Sequence, residues 1–230
     1  MEHVALNPRQ RHDNGDGTVE YLWELGDNRT IQSACFDDPT PGLRLSTQTG
    51  CSPGCGFCAA ALRYSVRDLT AAEIIAQARS VDEDLRSRGI AKPWQQVHLS
   101  GMGEALLNYD NVLEAARWLR RWTSNGTVSV TTSGIVPGIY RLAEEPTDIQ
   151  LRILLHATED DARRKLIRVG REWNIADVLE AARFFAHRQG RRAVIDYVLV
   201  HGVNDTDDDA RRLVDLLDPE LLEVCFLCLA

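Results

Sequence analysis

LRLSTQTGCSPGCGFCA, residues 43–59, is a strand that runs into a loop of three cysteines. Apolar and polar side chains alternate over residues 43–49, the period of a strand. Gly50, Pro53, Gly54 and Gly56 then break the pattern around Cys51, Cys55 and Cys58. A chemically loaded loop directly after a strand is how α/β folds build their sites, at the C-terminal edge of the sheet.

Downstream the same rhythm continues. Thr70 followed by Glu73 forms a capping-box pattern that opens a helix with Ile74, Ile75, Ala78, Val81 and Leu85 on its apolar face. VHLSG (97–101) reads as the next strand and VLEAARWLRRW (112–122) as its helix. TVSVTTSG (127–134) precedes a helix near IYRLAEE, and IQLRILLHA (149–157) precedes one around IADVLEAARFFAHR. AVIDYVLV (193–200) leads to DDDARRLVDLL, and LEVCFLCLA (222–230) ends the series. Six apolar strands alternating with amphipathic helices predict a parallel sheet with right-handed crossovers. Residues 43–230 give about 31 residues per βα unit. Six units fall short of an eight-fold barrel, so the expected fold is α/β, a partial (β/α)6 barrel.

Upstream, VEYLWEL (19–25) and TIQSACF (30–36) alternate around Gly26-Asp27-Asn28-Arg29 and read as two strands joined by a turn. DDPTPG (37–42) ends that region. The expected organisation is therefore a β-hairpin extension over residues 1–42 and a barrel over residues 43–230.

The 230 residues are 44% hydrophobic, enough for one large domain or two small ones. No window approaches the roughly 18 uninterrupted apolar residues of a spanning helix. The start, MEHVALNPRQRHD, has no secretory-leader pattern. A cytoplasmic protein without membrane contact is expected. The net charge of -8 disfavours nucleic acid as a partner of the whole surface, while leaving room for a local basic face.

Cys35, Cys225 and Cys228 lie far from the cluster of three, so the six cysteines do not form a disulfide framework. Three thiolates spaced C-x3-C-x2-C can each hold one iron of a four-iron cluster and leave the fourth open, whereas structural zinc wants four protein ligands. Two other readings stand beside this one. The cysteines could be small buried hydrophobes in a turn, or zinc ligands joined by His98 or His156.

With Phe57 as its aromatic, the C-x3-C-x-Φ-C loop resembles the signature of radical S-adenosylmethionine (SAM) enzymes. Gly101-Met102-Gly103-Glu104, one strand later, is similar to that family's glycine-rich edge and its acidic amine acceptor. The resemblance narrows to the RlmN/Cfr-type RNA adenine methyltransferases. It rests on DGTVEYLWEL, LSTQTGC, RDLTAAEIIAQ, GMGEALLNYDNV, TTSGIVPGI, LLHATEDDARRKL and YVLVHGVND, in that order. It implies a [4Fe–4S] cluster on Cys51, Cys55 and Cys58, and SAM held by Gly103 and Glu104 at its methionine end, with Thr131 and His156 also in contact. It implies reductive cleavage of SAM to a 5′-deoxyadenosyl radical that abstracts hydrogen, and an electron donor such as a flavodoxin or ferredoxin.

The chain departs from the branch at several positions. Arg44 stands where methyl-transferring members have a cysteine, Leu154 where they have a serine, and Gln32 where the hairpin has a glutamate. The second family cysteine and the N-terminal RNA-binding helical domain are absent, and the chain stops within its sixth strand, which reads as truncation. Guanidinium is permanently charged and cannot serve as a thiolate. The expected function is therefore a radical SAM enzyme acting on an unidentified substrate. One alternative is a ribosomal or transfer RNA adenine C2 or C8 methyltransferase, completed by a missing C-terminal cysteine segment or a partner. The other is a non-catalytic module that binds cluster and SAM.

The remaining candidates have structural readings. Cys225 and Cys228, three apart on a strand, point to opposite faces and read as core, and Cys35 as packing. His98 reads as a satisfied core histidine, Trp118 and Trp122 as a packed i, i+4 pair, and Asn204-Asp205 as a turn. Residues 159–192 carry nine Lys or Arg against six acidic side chains. Such charges suit an RNA or phosphate-bearing substrate, but most simply they coat solvated helix faces. Asp207, Asp208 and Asp209 sit at a helix start, opposite the macrodipole.

Overall fold

The computed structural model describes residues 4, 6–37, 39–56, 58 and 66–228, with Cys228 described by its backbone alone. Phe57 and the Cys228 side chain lie outside the described residues. The chain forms two compact units, residues 1–52, 62–130 and 147–149 in the first and residues 53–61, 131–146 and 150–230 in the second.

In the first unit, β1 (Asn7–Asp13), β2 (Val19–Glu24), β3 (Thr30–Phe36) and β4 (Gly42–Leu45) pair antiparallel in that order. The expected hairpin is β2 and β3, and the alternation is real: Val19, Tyr21 and Trp23 are buried while Glu20 is exposed. The extra strand β1 lacks an apolar face, six of its seven residues being exposed, and its register slips between Pro8 and Gln10. Proline and charge suit a strand with one paired side, and neither registers as strand periodicity.

From β4 the pairing turns parallel, with β5 (Gln96–Leu99) beside β4 and β6 (Thr127–Thr132) beside β5. Helix α1 (Ala71–Ser87) opens on the Thr70–Glu73 capping box and buries Ile74, Ile75, Ala78, Val81 and Leu85, as its spacing predicts. Helix α2 (Tyr109–Trp122) packs beside it. Trp118 and Trp122 stack at 5.9 Å, and Arg79 lies 4.7 Å over Trp118, so these rings pack the helix surface.

In the second unit, β7 (Ile149–Leu154), β8 (Ala193–Leu199) and β9 (Leu222–Cys228) run parallel in sequence order. Helices α3 (Val136–Ala143), α5 (Ile175–Gln189) and α6 (Asp207–Leu216) follow β6, β7 and β8. Asn174 with Asp177 and Thr206 with Asp209 complete capping boxes on α5 and α6, which assigns the Asp207–Asp209 run to a helix start. Between β7 and α5 the chain adds α4 (Asp160–Leu166) and a 3-10 turn (Arg168–Arg171). The buried residue of α4 is Arg163, so no apolar stripe announces this helix in the sequence.

Helix α1 is fastened to the sheet by a polar group as well as by its apolar face. Gln77 is fully buried, and its Oε1 accepts from the Ser33 hydroxyl and the Ser46 N–H, both at 2.9 Å. Its Nε2 donates to the Ser46 carbonyl at 2.9 Å. Replacing Gln77 by Leu keeps the volume and strands those three groups, at about 1–3 kcal/mol for a buried group left unpaired. We expect Gln77→Leu to lower unfolding stability by about 3 kcal/mol in denaturant titration, with the midpoint shifted and the slope unchanged.

Candidate active site

The cysteine loop leaves β4 through a segment locked by backbone hydrogen bonds within the first unit. Thr47 and Gln48 N–H both donate to the Met102 carbonyl, at 2.8 and 3.1 Å, and Gly101 N–H donates to the Leu45 carbonyl at 2.9 Å. The Asn108 amide donates to the carbonyls of Thr47 and Leu69, at 2.8 and 2.7 Å. The approach is so close that a Cβ on Gly103, at φ +113°, would stand 2.6 Å from Gln48 N and Thr47 Oγ1. Gly103 is thus already required by the contact between the two strand ends. Glu104 is buried, its N–H donates to Gln48 Oε1 at 2.9 Å, and its Oε1 accepts from Leu106 N–H at 3.1 Å.

Cys51 is half-buried and belongs to the first unit, whereas Cys55 (half-buried) and Cys58 (exposed) belong to the second. Cys58 N–H donates to the Cys55 carbonyl at 3.1 Å, a tight turn that brings both residues onto one bend. Gly56 N–H donates to the Leu166 carbonyl at 3.0 Å, tying that bend to the end of α4.

Thr131 and His156 lie at the ends of β6 and β7 in the second unit. The Thr131 hydroxyl is buried and has no hydrogen-bond partner among the described residues. His156 is 1% exposed and holds a left-handed backbone, φ +60°. Its Nδ1 accepts from Val198 N–H at 3.1 Å, so the neutral ring carries its proton on Nε2. Burial and the Arg163 guanidinium push its pKa down to about 4. Asn204 fixes this loop, donating to the His156 and Val198 carbonyls, both at 2.7 Å, and accepting from Val200 N–H at 2.7 Å. It is thus a buried brace for the cofactor-candidate histidine, more than the simple turn its sequence suggests.

These residues fit the groups the sequence implies. Cys51, Cys55 and Cys58 have the soft thiol chemistry that iron takes, while among the described residues no three His, Cys, Asp or Glu side chains are gathered closely enough to hold a metal ion. The orphaned Thr131 hydroxyl fits a polar ligand. The Thr47 hydroxyl, likewise buried and unpartnered among the described residues, marks a second polar position beside Gly103.

Two expectations change. Cys225 is half-buried and sits opposite Asp196 in the β8–β9 register, where Asp196 is paired with Arg152, so its surroundings are polar and not apolar core. Arg163 is fully buried, against the expectation that the charges of residues 159–192 are solvated. Others hold. Cys35 is fully buried, and His98 is satisfied by Ser129 Oγ at 2.6 Å and Gln96 Oε1 at 3.0 Å. Arg44 is exposed on β4, with Ala34 and His98 as register neighbours.

Because the folded pKa of His156 lies below its unfolded value, the unfolded state binds the extra proton, and stability falls as pH drops from about 6.5 towards 4. The full shift corresponds to about 3 kcal/mol. We expect the metal-free chain to lose thermal stability over this window. His156→Asn, which tolerates the left-handed backbone, should flatten the decline; an equal slope in both proteins would contradict the assignment.

The family model described as the radical SAM superfamily matches residues 45–214. The dual-specificity RNA methyltransferase RlmN 2 of Myxococcus xanthus is 41% identical over 212 residues, 88% of this chain and 55% of that protein. A probable dual-specificity RNA methyltransferase RlmN of Symbiobacterium thermophilum is 39% identical over 220 residues, 94% of this chain and 58% of that protein. The chain therefore spans a little over half the length of these relatives. The crystal structure of a radical SAM methyltransferase from Sphaerobacter thermophilus superposes with a TM-score of 0.88 at 32% identity, over 97% of this chain and 67% of that one. Streptococcus suis SuiB bound to S-adenosylmethionine, at 19% identity and a TM-score of 0.53 over 80% of this chain and 40% of its own, shares the fold. No described helix is long and apolar enough to cross a membrane. With the cysteine loop, the locked Gly101–Glu104 edge and these matches, the chain belongs to the radical SAM superfamily and is an RlmN-like enzyme.

Proposed function

We propose that this chain is the catalytic core of a cytoplasmic radical SAM enzyme acting on adenine in RNA. Cys51, Cys55 and Cys58 would hold a [4Fe–4S] cluster, and Gly103, Glu104, Thr131 and His156 would hold SAM. When bound, the pair supplies reductive cleavage of SAM and, with the resulting 5′-deoxyadenosyl radical, hydrogen abstraction.

The chain's own groups have definite parts in this. The buried Glu104 carboxylate offers an acceptor to the cofactor's ammonium group, and the Thr131 hydroxyl gains the partner it lacks. His156, neutral at pH 7, adds hydrogen-bonding capacity without a second positive charge. A low-potential donor such as a flavodoxin or ferredoxin would deliver the electron.

The observation that carries the reading is the cysteine loop tied by Thr47 and Gln48 to the Met102 carbonyl, one residue before Gly103 and Glu104. Support for RNA comes from the printed activity of the relatives and from a cavity of about 600 Å³ against Gly54 and Gly56. Its rim holds Arg164, Lys165, Arg168 and Arg171 against Asp161, a phosphate-binding balance of charge. Arg44 stands against methyl transfer by the two-cysteine relay, since its guanidinium can neither attack nor leave as a thiolate.

Anaerobic reconstitution with iron and sulfide, then reduction in the presence of SAM, should yield 5′-deoxyadenosine, and a Cys51, Cys55, Cys58 triple alanine variant should yield none. A cluster that binds SAM without cleaving it would make the chain a binding module. The same preparation given ribosomal or transfer RNA should form no methyladenosine, alone or with an added cysteine-bearing segment, because Arg44 remains in place of one of the two thiols. Robust methylation by the chain alone would refute the assignment of Arg44 as a block.

A further inference from the structure

Arg163 stands out among the described side chains: a fully buried cation whose direct hydrogen-bond partners are both neutral. Its Nη2 donates to the Ser133 carbonyl at 2.7 Å and its Nη1 to the Trp173 carbonyl at 3.0 Å. Its Nε is buried with no acceptor among the described residues. The Asp160 carboxylate acts on it from a distance and is itself engaged by Ile175 N–H at 2.8 Å. Burial pushes the guanidinium pKa down to about 10, which still leaves it charged at neutral pH.

The room for this group is carved by glycine. A Cβ on Gly134, at φ +102°, would lie 2.8 Å from Nη2, and one on Gly170 would lie 3.2 Å from Nη1. A buried, incompletely paired cation is costly, and that cost falls only where negative charge is brought near. The nearest source is the cysteine bend. Gly56 N–H is bonded at 3.0 Å to the carbonyl of Leu166, in the same α4 that carries Arg163, and Gly56 directly follows Cys55 in the chain.

We propose that Arg163 is a positioning residue for the cluster, its fixed positive charge balancing the thiolate-ligated iron at Cys55 and favouring the reduced state. The inference rests on the cluster reading above. Reduction adds one negative charge to a group that is already anionic, and a cation held in a low-dielectric site stabilises the product more than the reactant. Arg163 would thereby raise the potential at which the cluster accepts its electron.

The test is an anaerobic redox titration of the reconstituted full chain, followed by electron paramagnetic resonance, alongside iron content and unfolding of the metal-free protein. Arg163→Met should lower the midpoint by at least a tenfold change in the reduction equilibrium, 59 mV for a one-electron couple. Arg163→Lys, which keeps the charge, should recover most of that shift. A wild-type potential in a cluster-loaded Arg163→Met protein would overturn the inference and leave Arg163 a packing residue. If Arg163→Met does not fold, Asp160→Asn decides: it keeps an acceptor for Ile175 and removes an opposing charge, so the potential should rise, and an unchanged value overturns the proposal. A wild-type chain that assembles no reducible cluster would instead overturn the cluster reading itself.

Discussion

Two backbone N–H groups share one acceptor, the Met102 carbonyl, and the arrangement of the first unit depends on that sharing. It requires the end of β4 and the turn after β5 to approach until no side chain fits between them. Glycine therefore occupies residues 101 and 103, where a Cβ would stand 2.8 and 2.6 Å from its nearest neighbours. Asn108 and Gln77 fasten the same segment from α2's start and from α1. The loop that begins at Cys51 therefore leaves a rigid base, while Glu104 is held through its own N–H to Gln48. Preorganisation of this kind spares a bound cofactor the entropy of ordering the backbone around it.

The second unit meets a comparable demand with charge. Its Cys55–Cys58 bend is bonded to α4, and α4 buries a guanidinium where a helix of a soluble protein would ordinarily bury an aliphatic group. The same guanidinium helps keep His156 neutral, and Asn204 holds the His156 loop by three hydrogen bonds. The cysteine bend and the His156 loop thus share one unit with a single fully buried cation among the described residues. Low dielectric strengthens both effects, because neither is screened by water.

Two arginines on neighbouring parts of the βα series have different settings. Arg44 is exposed on β4, and Arg152 on β7 is paired with Asp196 beside the Cys225 thiol. The Arg152 Nε–Asp196 Oδ2 contact of 2.9 Å is buried enough that desolvation raises the carboxyl's pKa despite its cation. Both arginines sit in regular strand register, so neither charge disturbs the pairing of its strand.

Much of this was readable in the linear sequence. The six strands of the βα series, the α1 capping box, the acidic start of α6, the cysteine loop, the hairpin alternation and the packing of Trp118 on Trp122 all follow from local periodicity or spacing, because the interactions that fix them lie within a few residues. Strand β1 and helix α4 escaped, the first because it is polar on both faces and the second because its buried residue is an arginine. Whether a charged side chain faces water or the interior is set by neighbours distant in sequence, here Ser133 and Trp173, and no local pattern encodes them. The same holds for the glycine requirement at residue 103, which comes from a strand end some 55 residues earlier. The sequence by itself determined the order of the six-strand βα series and the spacing of the three thiols in the cysteine loop. Tertiary structure alone decided the burial of Arg163, the bracing of His156 and the polar setting of Cys225, because each depends on desolvation and hydrogen bonding between segments that meet only when the chain is folded.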